Sequence, residues 1–298
     1  MKIILEQMAL LFSFMILGFF FGKKKLLDTS HTKLISVLCV NLFMPCTVFK
    51  AFYTNFNREY LTTYSGFILT SGIILTVLLV AGFFVSNILT DDKYRRSVYR
   101  YSFVVSNYAY MGYALAEGIY GSQGLLNIVI FAMPIAFFVY SGGYCMLTKR
   151  GLSLKKIINP VIVALILGAL VGFFNINLPG FVTGFTAKSS ACLAPMSMLL
   201  AGITISEYKI KDLIGDKTVY AMAFVRLVLI PLVVFFALKN ICPKELTRTA
   251  VLVFCMPYGL NPIVFAKLIG EDYFFPAKLA FISSIFSVAT VPLFLSIF

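Results

Sequence analysis

An apolar stretch that cannot form one continuous helix, residues 249–270, constrains the fold of this chain more than any other feature. Its middle reads Met-Pro-Tyr-Gly-Leu-Asn-Pro, with prolines at positions 257 and 262. Each proline removes an amide donor, and its ring clashes with the preceding helical turn. A simple proline kink would explain this pattern. A complete break at membrane depth would have to lie inside protein or beside a polar cavity, because the freed backbone groups need partners.

A second interrupted segment, residues 101–121, lies in the corresponding part of the first half. It reads Y-S-F-V-V-S-N-Y-A-Y-M-G-Y-A-L-A-E-G-I-Y-G and lacks proline. A matched pair of interrupted apolar segments in the two halves of a membrane protein indicates a binding site near the middle of the bilayer. We therefore expect the two segments to form one site.

The rest of the chain is typical of an integral membrane protein. Hydrophobic residues make up 60% of its 298 residues and charged residues 12%, with a mean hydropathy of +0.93. Soluble domains carry about twice that share of charge, and apolar runs of about 20 residues are long enough to span a bilayer. Ten spans are predicted, at residues 5–21, 34–53, 61–89, 101–121, 125–147, 157–174, 189–205, 218–238, 249–270 and 274–298.

Lysine and arginine residues determine the predicted orientation. They are concentrated in the loops after spans one, three, five and seven, at Lys23, Lys24, Lys25, Lys33, Lys93, Arg95, Arg96, Arg100, Lys149, Arg150, Lys155, Lys156, Lys209, Lys211 and Lys217. The other loops hold fewer, although the loop after span eight holds three. Basic loops face the cytoplasm. Both termini of this multi-pass protein are therefore expected outside the cytoplasm, in the cell (inner or plasma) membrane, and the net charge of +13 implies no nucleic-acid partner.

The two halves of the sequence repeat each other. Gly22 matches Gly172 and Pro45 matches Pro195 at an offset of 150, and the glycines that end the two interrupted segments match at 149. Five spans in each half would place the second half upside down relative to the first. The predicted fold class is therefore an all-α integral membrane protein of ten helices in two inverted five-helix repeats, with crossing broken helices four and nine. Its parts are residues 1–147, a cytoplasmic linker at 148–156, and residues 157–298.

Aligning the interrupted segments places their breaks at the same depth, with Tyr108 on Pro257 and Gly112 on Asn261. The Asn-Pro pair at Asn261 is typical of a helix start, and Asn107 is a similar candidate. Two half-helix N-termini would then face a shared cavity, where free amides and the positive dipole end favour an anion. The predicted substrate-binding residues are Asn107, Tyr108, Tyr110, Gly112, Tyr113, Pro257, Tyr258, Gly259, Asn261 and Arg226. Core packing is the alternative role for each tyrosine.

Charged residues inside the predicted spans are rare. Arg226 lies near the middle of span eight, and such a buried cation faces the protein interior or a water-filled path. It would either attract the anion or lie against a helix C-terminus. Glu117 is the only acid well inside a span, and our hypothesis is that it carries a coupling proton. Lys50 and Lys267, near span ends, are expected to extend towards the membrane surface.

No constellation of catalytic or metal-binding residues is visible in the sequence. The six cysteines form no CxxC pair, and the single histidine, His31, lies in a basic loop. Metal centres need several closely spaced ligands of these types. We therefore expect no enzymatic activity, no metal and no cofactor, with a coupling H⁺ or Na⁺ left open.

Six motifs carry a resemblance to a known family. They are G-F-F-F-G-K-K-K-L-L at 18–27, N-L-F-M-P-C-T-V-F at 41–49, the second part of the first interrupted segment at 106–121, L-A-P-M-S-M-L-L-A-G-I-T-I at 193–205, R-L-V-L-I-P at 226–231 and M-P-Y-G-L-N-P-I-V-F-A-K-L-I-G at 256–270. With these motifs in this order, essentially the whole chain resembles the auxin efflux carrier family, in the branch that includes malate and malonate permeases.

The resemblance implies a crossover of broken helices four and nine, scaffold and transport subdomains that move against each other, and organic anions as substrates. It places Asn107 and Pro257 at the crossover, and it suggests a possible homodimer. Ala114 departs from the family, which often has proline there, so the sharpness of the first break is in question. The short segment at 148–158 favours a metabolite carrier over hormone transport.

The leading functional expectation is a secondary transporter of small organic anions, mono- or dicarboxylates, that works by alternating access in contact with membrane lipid. Proton or sodium coupling is possible. Two alternatives are a sodium-coupled carrier like the bile-acid symporters, which needs polar and acidic groups beside the crossover, and a passive anion channel, which would show a flux far above carrier rates.

Overall fold

A computed structural model describes residues 1–57, 61–149 and 159–298. Within these ranges the chain is almost entirely helical and contains no β-strand. The helices and π-helical turns are α1 (Lys2–Lys23), α2 (Thr29–Leu38), π1 (Cys39–Phe43), α3 (Met44–Asn55), α4 (Leu61–Leu89), α5 (Lys93–Val104), π2 (Tyr108–Gly112), α6 (Tyr113–Phe131), α7 (Met133–Tyr140), α8 (Gly142–Thr148), α9 (Pro160–Phe173), α10 (Gly180–Ala191), α11 (Leu193–Ser206), α12 (Ile210–Leu213), α13 (Lys217–Phe224), π3 (Val225–Leu229), α14 (Ile230–Leu238), α15 (Lys244–Cys255), α16 (Asn261–Ile269) and α17 (Phe274–Leu295).

Helices long and apolar enough to cross a membrane account for much of the described chain. There are seven within the described ranges, at Lys2–Lys23, His31–Asn55, Thr63–Leu89, Tyr108–Phe131, Gly180–Ser206, Lys217–Leu238 and Phe274–Leu295. Two further apolar helical stretches, Met133–Thr148 and Pro160–Phe173, are shorter. The second interrupted segment is divided into pieces that fall below the spanning length, whereas the later part of the first continues into α6 within the span Tyr108–Phe131. The count of ten spans in an inverted repeat therefore stays a prediction. Residues 150–158, which include most of the predicted linker with Arg150, Lys155 and Lys156, lie outside the described residues.

Several helices begin before the spans that were predicted from hydropathy. α5, α10 and α15 begin at Lys93, Gly180 and Lys244, whereas the predicted spans began at 101, 189 and 249. An apolar run marks only the part of a helix that lies in hydrocarbon, and the helix continues wherever its end groups find partners. At α5 the Asp92 carboxylate accepts a hydrogen bond of 2.7 Å from the Arg95 amide, which caps the helix in a polar region.

Contacts between helices divide the molecule into two groups. The first group combines α1–α3 with α9–α11, and the second combines α4–α8 with α13–α17. Within the first group, the most extensive contacts join α1 to α11 and α3 to α9. Each group therefore takes helices from both halves of the chain, so the two halves are interleaved in space.

Paired glycines bring helices of the first group into backbone contact. G-x-x-x-G occurs in α1 at Gly18 and Gly22 and in α9 at Gly168 and Gly172, at positions that differ by 150. A Cβ atom at Gly18 would lie 2.3 Å from a carbonyl oxygen of α11, and one at Gly172 would lie 2.6 Å from a carbonyl oxygen of α3. Small residues allow membrane helices to approach this closely. Corresponding helices of the two halves thus make the same kind of contact with the opposite half.

The two interrupted segments end at glycines with left-handed backbone angles. Gly270 has φ +73° and ends α16, while Gly121 has φ +69° and ψ −166° and turns the chain sharply within α6. Residues with a Cβ atom rarely adopt such angles. The glycine at each of these positions is therefore required by the change of direction.

Candidate functional site

The first interruption separates α5 from π2. Helix α5 ends at Val104, Val105 is extended, and helical structure resumes at Tyr108 as the π-helical turn that leads into α6. Asn107 precedes that turn but makes no side-chain cap. A break is thus present although Ala114 stands where proline was expected, so its cause must lie in contacts with another part of the chain.

The second interruption separates α15 from α16. Helix α15 ends at Cys255, and Met256 is extended with φ −67° and ψ 149°. Helix α16 begins at Asn261, with Pro262 in its first turn as the sequence predicted. The expectation that Asn261 caps the helix is wrong, because Leu260 occupies the capping position. The Asn261 side chain instead donates a hydrogen bond of 3.2 Å to the Tyr101 hydroxyl.

The two interruptions pair with each other. Ser106 and Tyr258 form an antiparallel bridge, and the Asn107 amide donates a hydrogen bond of 2.8 Å to the Pro257 carbonyl. The Ser106 hydroxyl also donates to the Val253 carbonyl in the last turn of α15, at 2.6 Å. These bonds satisfy backbone groups that hydrocarbon would leave unpaired. They also hold the first interruption open without a proline.

A small cavity of about 50 Å³ lies beside the N-terminal ends of π2 and α16. Polar groups from both interruptions and aromatic side chains surround it. Its lining consists of Met44, Ser106, Asn107, Tyr108, Ala109, Tyr110, Tyr113, Ala136, Val139, Tyr140, Val161, Gly259, Leu260 and Asn261. We call it the crossover cavity. The two helical N-termini beside it provide the electrostatic setting that binds anions elsewhere in proteins.

Six of the ten predicted substrate-binding residues line the crossover cavity. They are Asn107, Tyr108, Tyr110, Tyr113, Gly259 and Asn261. The other four predicted residues, Gly112, Pro257, Tyr258 and Arg226, do not. The structure thus brings the two asparagines together at one cavity, and it assigns the remaining residues to the scaffold around it.

The four residues outside the cavity support the crossover. Pro257 contributes its carbonyl oxygen to the bond from Asn107. Tyr258 points away from the cavity: its hydroxyl donates to the Met222 carbonyl in α13 at 2.8 Å, and its amide donates to Ser283 in α17. Gly112 is buried against Ile128 of α6 and against Met256 in the second interruption.

Arg226 lies against the end of a helix and not in the cavity. It is fully buried in π3, ahead of Pro231, and its Nη1 donates a hydrogen bond of 3.0 Å to the Phe103 carbonyl. That carbonyl belongs to the last turn of α5, where the negative end of the helix dipole favours a cation. Of the two roles considered from the sequence, the structure thus shows the contact with a helix C-terminus.

Tyr140 and Tyr101 are residues of the site that sequence analysis did not single out. Tyr140, from α7, lines the crossover cavity, and Tyr101 accepts the hydrogen bond from Asn261. Tyr140 lies in an apolar helix with no motif around it. Only the hydroxyl of a tyrosine in an apolar span could have drawn attention to it, since a buried hydroxyl needs a partner.

Three larger cavities share lining residues with the crossover cavity, and two of them share Tyr110. One, of about 370 Å³, opens beside Thr32 and Lys33 of α2 and shares Tyr110 and Asn261 with the crossover cavity. The other, of about 210 Å³, is lined by Glu117 and also shares Tyr110. By the predicted orientation the first is cytoplasmic and the second faces outward. Tyr110 therefore lines the crossover cavity and both of these neighbouring cavities.

Glu117 forms an ion pair with Lys50 across the two groups of helices. The Lys50 Nζ atom lies 2.6 Å from Glu117 Oε1, and both side chains are partly buried. Lys50 belongs to α3 in the first group and Glu117 to α6 in the second. Lys50 therefore does not simply extend to the surface, as the sequence suggested. The side chain of Lys267 lies outside the described residues.

The sequence of the chain matches that of a known family over nearly its whole length. The sequence model of a family described as membrane transport protein matches residues 3–156 and, a second time, residues 151–295. The two matches together span nearly the whole chain. A search of curated proteins finds no match.

Within the described residues, no group of three or more His, Cys, Asp or Glu side chains could hold a metal ion.

Proposed function

Because the chain belongs to the membrane transport protein family, we propose that it is a secondary transporter of small organic anions, mono- and dicarboxylates, that works by alternating access. The observation that carries this proposal is the crossover cavity, where the N-terminal ends of π2 and α16 meet beside Asn107 and Asn261. Helix N-termini attract carboxylates through free amides and the helix dipole. Asparagine amides can donate further hydrogen bonds to the bound oxygens.

The division into two helix groups supports alternating access. The crossover cavity lies between Met44 and Val161 of the first group and the interrupted segments of the second. Sliding of one group against the other would connect this cavity in turn to the cavity beside Lys33 and to the cavity beside Glu117. Tyr110, which lines all three, is the side chain that such a movement must displace.

Uptake into proteoliposomes tests the proposal directly. Purified protein is reconstituted, and uptake of labelled malate, malonate and indole acetate is measured over a range of substrate concentrations, pH and sodium. We expect saturable uptake of at least one carboxylate. The absence of saturable flux for every carboxylate would contradict the proposal, and a non-saturating flux far above carrier rates would indicate a channel. Malate and malonate are the first candidates because of the permease-like motifs.

We further propose that Glu117 carries a coupling proton. A proton that reaches Glu117 through the cavity that it lines would neutralise the carboxylate and break its ion pair with Lys50. That pair is a direct bond between the two helix groups, so its loss would free one group to move against the other. The energy of the proton gradient would then be coupled to the movement.

Glu117→Gln should remove the pH dependence of uptake, because glutamine mimics the protonated acid at every pH. The measurement is the initial rate of carboxylate uptake between about pH 5 and 8. Glu6→Gln is the matched control, since Glu6 forms an exposed pair with Lys2 at the start of α1. A pH profile that is the same in Glu117→Gln and in the unaltered protein would refute the role of Glu117.

The proposal extends to the orientation of the protein in the membrane and to its oligomeric state. From the distribution of lysine and arginine residues we propose that both termini lie outside the cytoplasm. The protein would then lie in the inner or plasma membrane, with lipid around its apolar outer surface. A homodimer is a further proposal, since the family resemblance suggests one. Cysteines placed at the two termini and labelled with a membrane-impermeant reagent would test the orientation.

A further inference from the structure

Arg226 is a buried cation without an acidic partner. Its side chain is fully buried, and none of the ion pairs among the described residues includes it. Arginine stays charged in proteins, and an unpaired charge at membrane depth is costly. Some other feature of the structure must therefore stabilise this guanidinium group.

The ends of two half-helices provide that stabilisation. Nη1 donates to the Phe103 carbonyl in the last turn of α5, and the guanidinium carbon lies 5.6 Å from the centre of the Phe254 ring in the last turn of α15. Both helices stop at the crossover, so their dipoles direct partial negative charge to the same place. The aromatic face adds a further attraction for a cation. The crossover thus binds one positive charge on the side of the helix C-termini.

Transporters with interrupted helices use such places to hold a coupling cation. Unwound carbonyl groups and the C-terminal ends of half-helices coordinate sodium ions or protons there, while the N-terminal ends face the anionic substrate. Here the side chain of Arg226 fills the cation position. Its Nε and Nη2 atoms are buried and have no partner among the described residues, so the group retains donors for more carbonyl oxygens.

We propose that the Arg226 guanidinium is the permanent cation of the crossover, so that the carrier needs no sodium ion there. This inference rests on the proposed function, and it leaves proton coupling through Glu117 unchanged. A fixed cation holds the ends of α5 and α15 together throughout the cycle. Transport of a carboxylate then takes place without a sodium gradient.

Binding of cations to the folded protein tests this inference without any measurement of transport. The readout is the thermal unfolding midpoint, followed by a thiol-reactive dye because the chain has six cysteines and no tryptophan. We expect the same midpoint in sodium and in potassium for the unaltered protein. Arg226→Ala should unfold at a lower temperature than the unaltered protein. Addition of about 10 mM guanidinium should raise the midpoint of this variant by about 4 °C, because a ligand that binds the folded state stabilises that state.

Arg100→Ala is the matched control. Arg100 bonds to Ser86 and Asn87 in α4, away from the crossover, so guanidinium should not raise the midpoint of this variant. If Arg226→Ala does not fold, Arg226→Lys and Arg226→Gln are compared instead. Only the lysine variant should keep the unfolding midpoint of the unaltered protein and unfold at the same temperature in sodium and in potassium. A saturable stabilisation of the unaltered protein by sodium, or no response of Arg226→Ala to guanidinium, would overturn the inference.

Uptake measurements then separate this inference from the proposed function. Equal carboxylate uptake with and without sodium supports both. Uptake that requires sodium overturns the role of Arg226 and leaves the transporter proposal intact. A protein that takes up no carboxylate, yet shows the expected response of Arg226→Ala to guanidinium, overturns the transporter proposal and supports the cation position.

Discussion

Asn261→Asp is expected to lower carboxylate uptake about a hundredfold while the protein remains folded. The change replaces an amide by a carboxylate of nearly the same shape at the N-terminal end of α16, on the wall of the crossover cavity. A negative charge about 5 Å from a bound carboxylate would repel it by about 3 kcal/mol at an effective dielectric constant of about 20. That energy corresponds to roughly a hundredfold loss of affinity.

The same substitution outside the cavity is the control for Asn261→Asp. Asn87 is exposed and its side-chain oxygen accepts a hydrogen bond from Arg100 at 2.9 Å. Asn87→Asp should therefore leave uptake unchanged. Initial rates over a range of substrate concentrations separate affinity from turnover, and the effect should be largest at low concentration. Undiminished uptake by Asn261→Asp would mean that no anion binds at this cavity.

Gly202→Ala is expected to destabilise the protein more than any other exchange of glycine for alanine in the first group of helices. A Cβ atom at this position of α11 would lie 2.0 Å from the Met15 carbonyl oxygen and 2.7 Å from the Phe19 amide nitrogen, both in the backbone of α1. The helices would have to separate, and overpacking of this kind costs about 3 kcal/mol. The thermal midpoint should fall by about 5–10 °C.

Gly184→Ala makes the identical chemical change without the clash. No atom lies within 4 Å of the Cβ position at Gly184 in α10. Alanine favours a helix by about 1 kcal/mol relative to glycine, so this variant should be as stable as the original or slightly more stable. If the two variants unfold at the same temperature, close contact of α1 with α11 does not hold the first group together.

Local chemistry predicted the second interruption but not the cause of the first. Pro257 and Pro262 each remove an amide donor and clash with the preceding turn, so the sequence predicted a kink or a break near residues 256–260, and the structure shows a break. Residues 105–107 contain no proline, and the break there depends on bonds to Val253 and Pro257, about 150 residues away in the chain. Only the alignment of the two halves indicated where it would be.

The directions of the side chains at the crossover could not be predicted from the sequence. A helix has a period that shows which residues share a face, but an extended segment of a few residues has no such pattern until its partner is known. For that reason Asn107 and Asn261 were correctly expected to lie together, while Tyr258 and Arg226 were assigned to a cavity that they do not line. The ion pair between Lys50 and Glu117 joins two segments whose distance the sequence does not reveal.

The interleaving of the two halves has a consequence for biosynthesis. When the ribosome has released residues 1–147 into the membrane, α1 and α3 still lack α11 and α9, the helices against which their backbones pack. The glycine-lined surface of α1 in the nascent first half must therefore stay exposed to lipid until α9 and α11 have been synthesised. Folding of the first helix group is thus a late event, and two half-length chains synthesised in the same cell should assemble with each other and fail when either is made alone.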